Sequence, residues 1–424
     1  MASCLAFNTL LHAVRTGAAA FRCRRTLQPA GGPGTKVFPP TYSGAEYAIE
    51  QRRLPGRSDP VRCVLLDSVQ SQANRMEEAL QAAIDSGSMK LPLIEVDFSG
   101  ADLIEPGRKI TTLQAPHRIA DAILRDSEID GRRFRDSEIG KTVDTARADN
   151  ATPLFKLCPT ALIFGMWDST GPKGGLGTKF ERAIVSEVVG IDAEIGIRTA
   201  SRIDPVVTAT SSIVLYRRGD HQYTLDPAEA NKDEKGKPIL FGNKKKAGKV
   251  SAANLGNVTP SFTDNETKKP LLGGITVAFA EQTTTLSLIA LRRLRFPVSG
   301  KDSPEVDAAA RAVLSALGLC AATLAAEKGL DLRSRCLLWP DGPMVWELLD
   351  KPGESPKEFA LDGHSAMELL NEAVAHAEKL GLKWIDKPIE LKPSKSLVDL
   401  VRRSQEQAAK GENVEEESVE SKGN

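Results

Sequence analysis

Apolar residues recur along this chain with two periods, and the switches between them mark out its elements. Val61 to Leu66 is a mostly apolar run interrupted by Arg62, the pattern of a strand, and Asp67 or Ser68 stands next where a helix is capped. Val69, Ala73, Met76, Leu80 and Ile84 follow at helical spacing until Gly87 ends the run. Ala115-Pro116-His117-Arg118 opens another helical stretch, with Ile119, Ala122 and Ile123 apolar. Thr160 to Trp167 reads as a buried strand, and residues 183–189 look apolar and ordered. Ile275, Val277 and Phe279 alternate with Thr276, Ala278 and Ala280, a strand signature. Leu286, Ile289, Ala290, Arg293 and Leu294 return to helical spacing, stopped by Pro297. An Ala-rich helix is predicted over about residues 304–328 before Gly329, a short strand at Leu337 to Trp339, and a helix from Ser365 to Leu380 before Gly381. No internal repeat is visible. Strands and helices mix, and several connections are too long for a doubly wound sheet, so the predicted fold class is α+β.

Two stretches fall outside these patterns. Residues 217–272 are lysine-rich and glycine-spotted, and a long excursion of that kind is either functional or disordered. From about Ser404 the chain is polar and acidic, with six Glu and two Lys up to Asn424, and is expected to be disordered. Charge is otherwise balanced at 56 basic against 56 acidic residues, so distribution matters more than the total. Residues 1–45 hold five Lys or Arg and no acid, and residues 231–250 hold seven Lys against Asp233 and Glu234. From Gln282 to Lys301, Arg292, Arg293, Arg295 and Lys301 stand without an acid. Basic patches on a neutral body suit a protein that grips a polyanion at chosen places.

The most chemical stretch follows the Thr160–Trp167 run. Asp168-Ser169-Thr170 leads into a loop with Gly171, Gly174, Gly175 and Gly177, and Lys173, Lys179 and Arg182 lie in or beside it. Glycines let backbone amides approach an anion and lysines add charge, so this is a candidate phosphate surface. It is not a valid P-loop, because Gly177-Thr178-Lys179 inverts the required Lys-Thr order and Pro172 stands where the first Gly belongs. A plain glycine-rich surface loop stays an alternative. Gln70, Gln72, Asn74 and Arg75 form the polar face of the predicted helix after Ser68, either a solvated face or a set of donors for sugar and phosphate oxygens. His117 and Arg118 sit at a predicted helix start, where an anion is favoured. Arg198 and Arg202 precede Asp204, whose carboxylate more naturally neutralises an arginine than does chemistry.

Other classes are poorly equipped. Six cysteines show no CxxC pairing, so neither a zinc site nor a disulfide framework is expected, and no cofactor or metal is called for. GxSxG is absent, and five histidines stand singly at 12, 117, 221, 364 and 376. No apolar stretch is read as reaching the roughly 18 residues a membrane span needs. The basic N-terminus resembles a transit peptide superficially, but its composition runs on into AGGPGTKVFPPTY, so a cytoplasmic protein without a targeting signal is expected.

Five blocks occur in order: LLDSVQSQANRMEEAL (65–80), LQAPHRIADAIL (113–124), ALIFGMWDSTGPKGGLGTKFERAIVSEVVG (161–190), RTASRIDP (198–205) and GGITVAFAEQTTTLSLIALRRLRFP (273–297). Together they resemble the backbone subunit of type I-G (formerly I-U) CRISPR Cascade, of the RAMP superfamily, over roughly residues 20–400. PAGGPGTKVFPPTY (29–42) fits the same family. The resemblance implies a ferredoxin-like, RRM-related palm with large insertions. It divides the chain into an N-terminal basic segment packed on the core (1–60), a palm with helical additions (61–216 and 273–403), an insertion serving as thumb (217–272) and a tail (404–424). It implies copies lined along one CRISPR RNA that present the guide to target DNA, with other Cascade subunits as partners and no catalysis by this chain. The resemblance does not assign individual contacts; the RNA-binding set inferred from the residues themselves is Gln70, Gln72, Asn74, Arg75, His117, Arg118, Lys173, Gly174, Gly175, Lys179, Arg182, Arg198, Arg202, Arg292, Arg293 and Arg295. An RNA-cleaving enzyme of the same superfamily, using Asp168 or Asp204, is the rival; a P-loop-like NTPase is the weaker one.

Overall fold

The computed structural model describes residues 2–169, 177–206, 213–219, 221–243, 246–263 and 270–409. The fold is mixed α+β, in two compact units. The larger takes in residues 1–194 and 276–407, and its chain order begins with β1 (Ser3–Cys4), α1 (Phe7–Thr16), β2 (Ala20–Pro29), β3 (Ile49–Arg52), β4 (Val61–Asp67) and α2 (Val69–Asp85). After smaller elements come β5 (Ile184–Ile191), β6 (Phe279–Ser287), α3 (Pro304–Ala326), β7 (Leu330–Asp331), β8 (Leu337–Pro340), β9 (Val345–Leu349), β10 (Lys357–Ala360) and α4 (Gly363–Lys379). One ten-stranded sheet runs β1-β10-β9-β2-β6-β5-β4-β3, with β8 pairing both β2 and β7. β9, β2, β6, β5 and β4 are antiparallel to their neighbours throughout. Residues 20–29 thus supply an interior strand of the sheet.

Alternation sets its two faces. On β6, Ala280, Gln282, Thr284 and Leu286 are buried, and the intervening residues are half-exposed. The buried face carries α2 and α3, which pack on each other, and α3 packs also on α1 and α4. Gly318 of α3 lets the helix settle on the sheet: a Cβ there would lie 3.2 Å from Leu286 and 3.6 Å from Ile184. The opposite face of the sheet carries ion pairs in place of a helix layer: Arg22–Glu347 at 2.7 Å, Arg24–Glu281 at 2.7 Å and Arg52–Glu187 at 2.8 Å. A second sheet, of five strands, joins Arg132–Arg133, Ser127–Ile129, Ile389–Pro393, Ile94–Asp97 and Lys109–Thr111 in that order.

Ser68 begins α2, its side chain accepting the Ser71 N–H at 3.2 Å, a cap that contributes about 1 kcal/mol. Three predicted elements differ. Thr160–Phe164 is a short helix following Pro159, not a strand; it is buried all round, so its apolar run carries no period to read. Gly165 (φ 83°) then reverses the chain into Met166–Trp167, which pairs with Lys179–Phe180. The stretch from Ala115 yields only a single 3-10 turn, Arg118–Ala120, and a four-residue helix, Ala122–Arg125. The helix expected over 286–294 is confined to Leu288–Arg292, because Leu286 points from β6 into the core.

The α3 helix is, by length and composition, apolar enough to cross a membrane, contrary to the sequence reading; most of its residues are buried within the protein as the central core helix. At the C-terminus, Lys395–Ala409 is helical through the start of the expected tail, and residues 410–424 lie outside the described ones. The smaller unit, residues 195–275, takes in the RTASRIDP block as well as the lysine-rich stretch. It is built of short ribbons, among them Ala200–Arg202 with Val258–Ser261 and Tyr216–Arg218 with Gln222–Thr224.

Candidate nucleic-acid interface

Several residues proposed for RNA contact turn inward. Gln72 is 2% exposed and is the hub of a buried polar network under the sheet. Its Nε2 donates to Asp67 Oδ2 at 2.7 Å, and its Oε1 accepts from Ser186 Oγ and Gln282 Nε2, each at 2.9 Å. Arg75 donates to the same Asp67 at 2.9 Å and to the Leu332 carbonyl at 2.6 Å. Arg333 adds a third contact, 3.3 Å from Asp67 Oδ1. A buried carboxylate needs partners of this kind, so Gln72 and Arg75 serve Asp67 rather than a ligand. Gln70 and Asn74, on the outer side of α2, are exposed.

Arg118 is the clearest correction. It is 6% exposed, and its Nε and Nη2 donate to the two oxygens of Glu77 at 2.7 and 2.8 Å. Nη1 donates to the Gly165 carbonyl at 3.0 Å, and the guanidinium lies 5.4 Å from the centre of the Phe164 ring. The residue sits at φ 54°, a backbone region that non-glycine residues rarely occupy, and this set of contacts holds it there. Burial pushes the Glu77 carboxyl up to about 7, with Arg118 and then Arg182 pulling it back. Arg182 is half-buried beside this pair; burial and then Arg118 lower its pKa, and Glu77 opposes them. The anion position expected near His117 is taken by the chain itself: Asp121 accepts the backbone N–H of His117 at 3.0 Å and of Ile123 at 2.9 Å. The His117 side chain is exposed.

The arginines after β6 are also engaged. Arg292 donates to the Ala18 carbonyl at 2.6 Å, Arg293 to Glu181 at 2.6 Å and Arg295 to Asp307 at 2.8 Å. The Arg293 pair is exposed on both sides and weakly held, so that cation remains accessible to another anion. In the smaller unit Arg198 is exposed and Arg202 lies 3.8 Å from Asp204. Asp204 also accepts the Gly256 N–H at 2.9 Å.

Lys173, Gly174 and Gly175 lie outside the described residues, but both ends of their loop are defined. Trp167 and Lys179 face each other across the ribbon at its base, both exposed. Asp168, next in sequence, is 2% exposed and pairs with Arg135, which also binds Asp144 at 2.6 Å. Among the described residues, no group of His, Cys, Asp or Glu has the arrangement of a metal site.

Sequence reasoning missed Glu77, Arg135 and Trp167. Glu77 had a signal: it falls four residues after Ala73, on the apolar face of α2, where a carboxylate implies a buried cation. Arg135 had none, being 33 residues from Asp168.

Residues 21–195 match the family model of CRISPR-associated protein GSU0053. The chain is thus CRISPR-associated, which implies a part in CRISPR defence. The matched segment spans under half of the chain, from β2 to just beyond β5, and includes the Glu77–Arg118 pair and the Trp167–Lys179 ribbon. No curated protein matches the chain.

Proposed function

We propose that this CRISPR-associated protein is an RNA-binding backbone subunit of a type I surveillance complex, acting in the cytoplasm. Several copies lie along one CRISPR RNA, beside other Cascade subunits, and present the guide for pairing with target DNA. The observation that carries the reading furthest is the strand order β9-β2-β6-β5 with α2 and α3 on one face. A ferredoxin-like βαββαβ unit orders its strands 4-1-3-2, and β2, β5, β6 and β9 fill positions 1, 2, 3 and 4, with α2 before β5 and α3 before β9. The additions β3 and β4 extend the edge beyond β5. That order, the GSU0053 match and the five sequence blocks support the same palm. A scaffold of this kind contacts phosphate and 2′-hydroxyl groups and leaves sequence to Watson–Crick pairing.

The chain works without catalysis in this reading. Asp168 is tied to Arg135, and Asp204 holds a backbone turn and faces Arg202, so both acids have structural partners. Equal-length single-stranded RNAs of unrelated sequence should bind the purified chain with affinities within about threefold of one another, weakening together as salt rises. With magnesium or manganese, labelled strands should stay intact. Metal-dependent cleavage that disappears in Asp168→Ala or Asp204→Ala would replace this reading with the endoribonuclease one.

A further inference from the structure

The ribbon at the base of the glycine-rich stretch pairs Met166 with Phe180 and Trp167 with Lys179. Strand alternation sends Met166 and Phe180 into the core, 6% and 7% exposed, and turns Trp167 and Lys179 outward on the same side. Trp167 is 55% exposed. A single exposed apolar residue is ordinary, so exposure alone says little. The neighbour gives it meaning. Lys179 Nζ lies 5.8 Å from the centre of the indole, at the outer limit of a cation–π contact, and the ring keeps more than half its surface in water. Among the described residues, Lys179 forms no ion pair, in contrast to Arg118, Arg293 and Arg295. Lys179 also lines a cavity of about 220 Å³ together with Leu162, Leu291, Leu294 and the exposed Arg293–Glu181 pair. A flat aromatic surface beside cations and apolar side chains is complementary to one nucleotide of an unpaired strand: the ring takes a base, the cations take phosphate.

We propose that Trp167 and Lys179 form a single-nucleotide step in the path of single-stranded RNA. The indole stacks on one nucleobase and the ammonium holds an adjoining phosphate. The proposal rests on the RNA-binding reading above and adds to it a base contact, which a grip on backbone alone lacks. Every base has a π-face, so the step is indifferent to sequence, as a guide scaffold requires. It also selects single strands, because a base stacked inside a duplex has no free face to offer.

The test compares a short oligoribonucleotide with its abasic counterpart, binding each to the full chain and to Trp167→Ala, Trp167→Phe and Lys179→Ala. Trp167→Ala should weaken binding of the base-bearing strand about fivefold or more, the lower end of what losing one stacking aromatic does. Trp167→Phe should retain most of the affinity. On the abasic strand, Trp167→Ala should match wild type, and Lys179→Ala should weaken both strands alike. Trp167→Ala binding as wild type does, or losing equally on both strands, overturns the stacking step and leaves the RNA-binding reading standing. Wild-type protein that binds neither strand overturns both. Unchanged thermal unfolding of the Trp167 variants shows that the fold is intact.

Discussion

Arg118 and Lys179 are both cations, both lie in the GSU0053-matched segment, and both have the sequence context of a phosphate contact. The fold uses them in opposite ways. Arg118 is buried, bidentate to Glu77, and holds the Gly165 carbonyl from inside. Lys179 is exposed and faces an exposed indole across the ribbon that follows Gly165. Gly165 connects them: a Cβ there would lie 3.1 Å from the Phe180 carbonyl and 3.0 Å from Arg182 Cγ, so the buried clamp and the exposed ribbon meet at one tightly packed residue. A cation's role is therefore decided by whether the fold brings a carboxylate to it, not by its local sequence. Arg118 finds Glu77, 41 residues away; Lys179 finds an aromatic ring.

The sharpest way to break this comparison is to remove each cation. Arg118→Ala leaves Glu77 buried without its counter-ion and should cost about 3–5 kcal/mol in denaturant unfolding. Lys179→Ala, at an exposed site, should stay within about 0.5 kcal/mol. A larger loss for Lys179→Ala than for Arg118→Ala would show the assignments reversed.

A smaller effect probes the buried pair alone. The folded pKa of Glu77, about 7, lies above its ordinary value of 4.5, so the folded state binds more protons between those limits. Its contribution to stability is complete below pH 4.5 and is lost as pH rises through 7. Relative to Glu77→Gln, wild-type unfolding free energy should fall by about 3 kcal/mol at most across that window, a change set by the size of the shift. Parallel pH profiles for the two proteins would show that burial does not govern Glu77.

The sequence made α2 legible because one face of it is buried, which leaves a helical period from Val69 to Ile84. The Ala-rich run marks α3 almost to its ends by length and composition, although that helix is buried nearly all round. Sequence reading failed at Thr160–Phe164, where burial on every side erases the period. The strand order was not legible in any local pattern, since β2 pairs with β6 some 250 residues later, Leu27 opposite Ala280. The candidate site suffered for the same reason. Gln72 and Arg75 looked like a polar surface because Asp67, Ser186 and Gln282 come together only in the folded sheet. Lys179 was legible as a cation, but its value depends on Trp167, which sequence placed in a buried strand.

The central claim is that this protein is an RNA scaffold, and the RNA it carries tests that most directly. The full chain should be expressed together with a CRISPR array and its processing machinery, purified under native conditions, and its bound nucleic acid sequenced. Small RNAs of defined length that carry array sequence are the predicted result. Purified protein that is free of RNA, or that carries cellular RNA of random length and origin, would contradict the account.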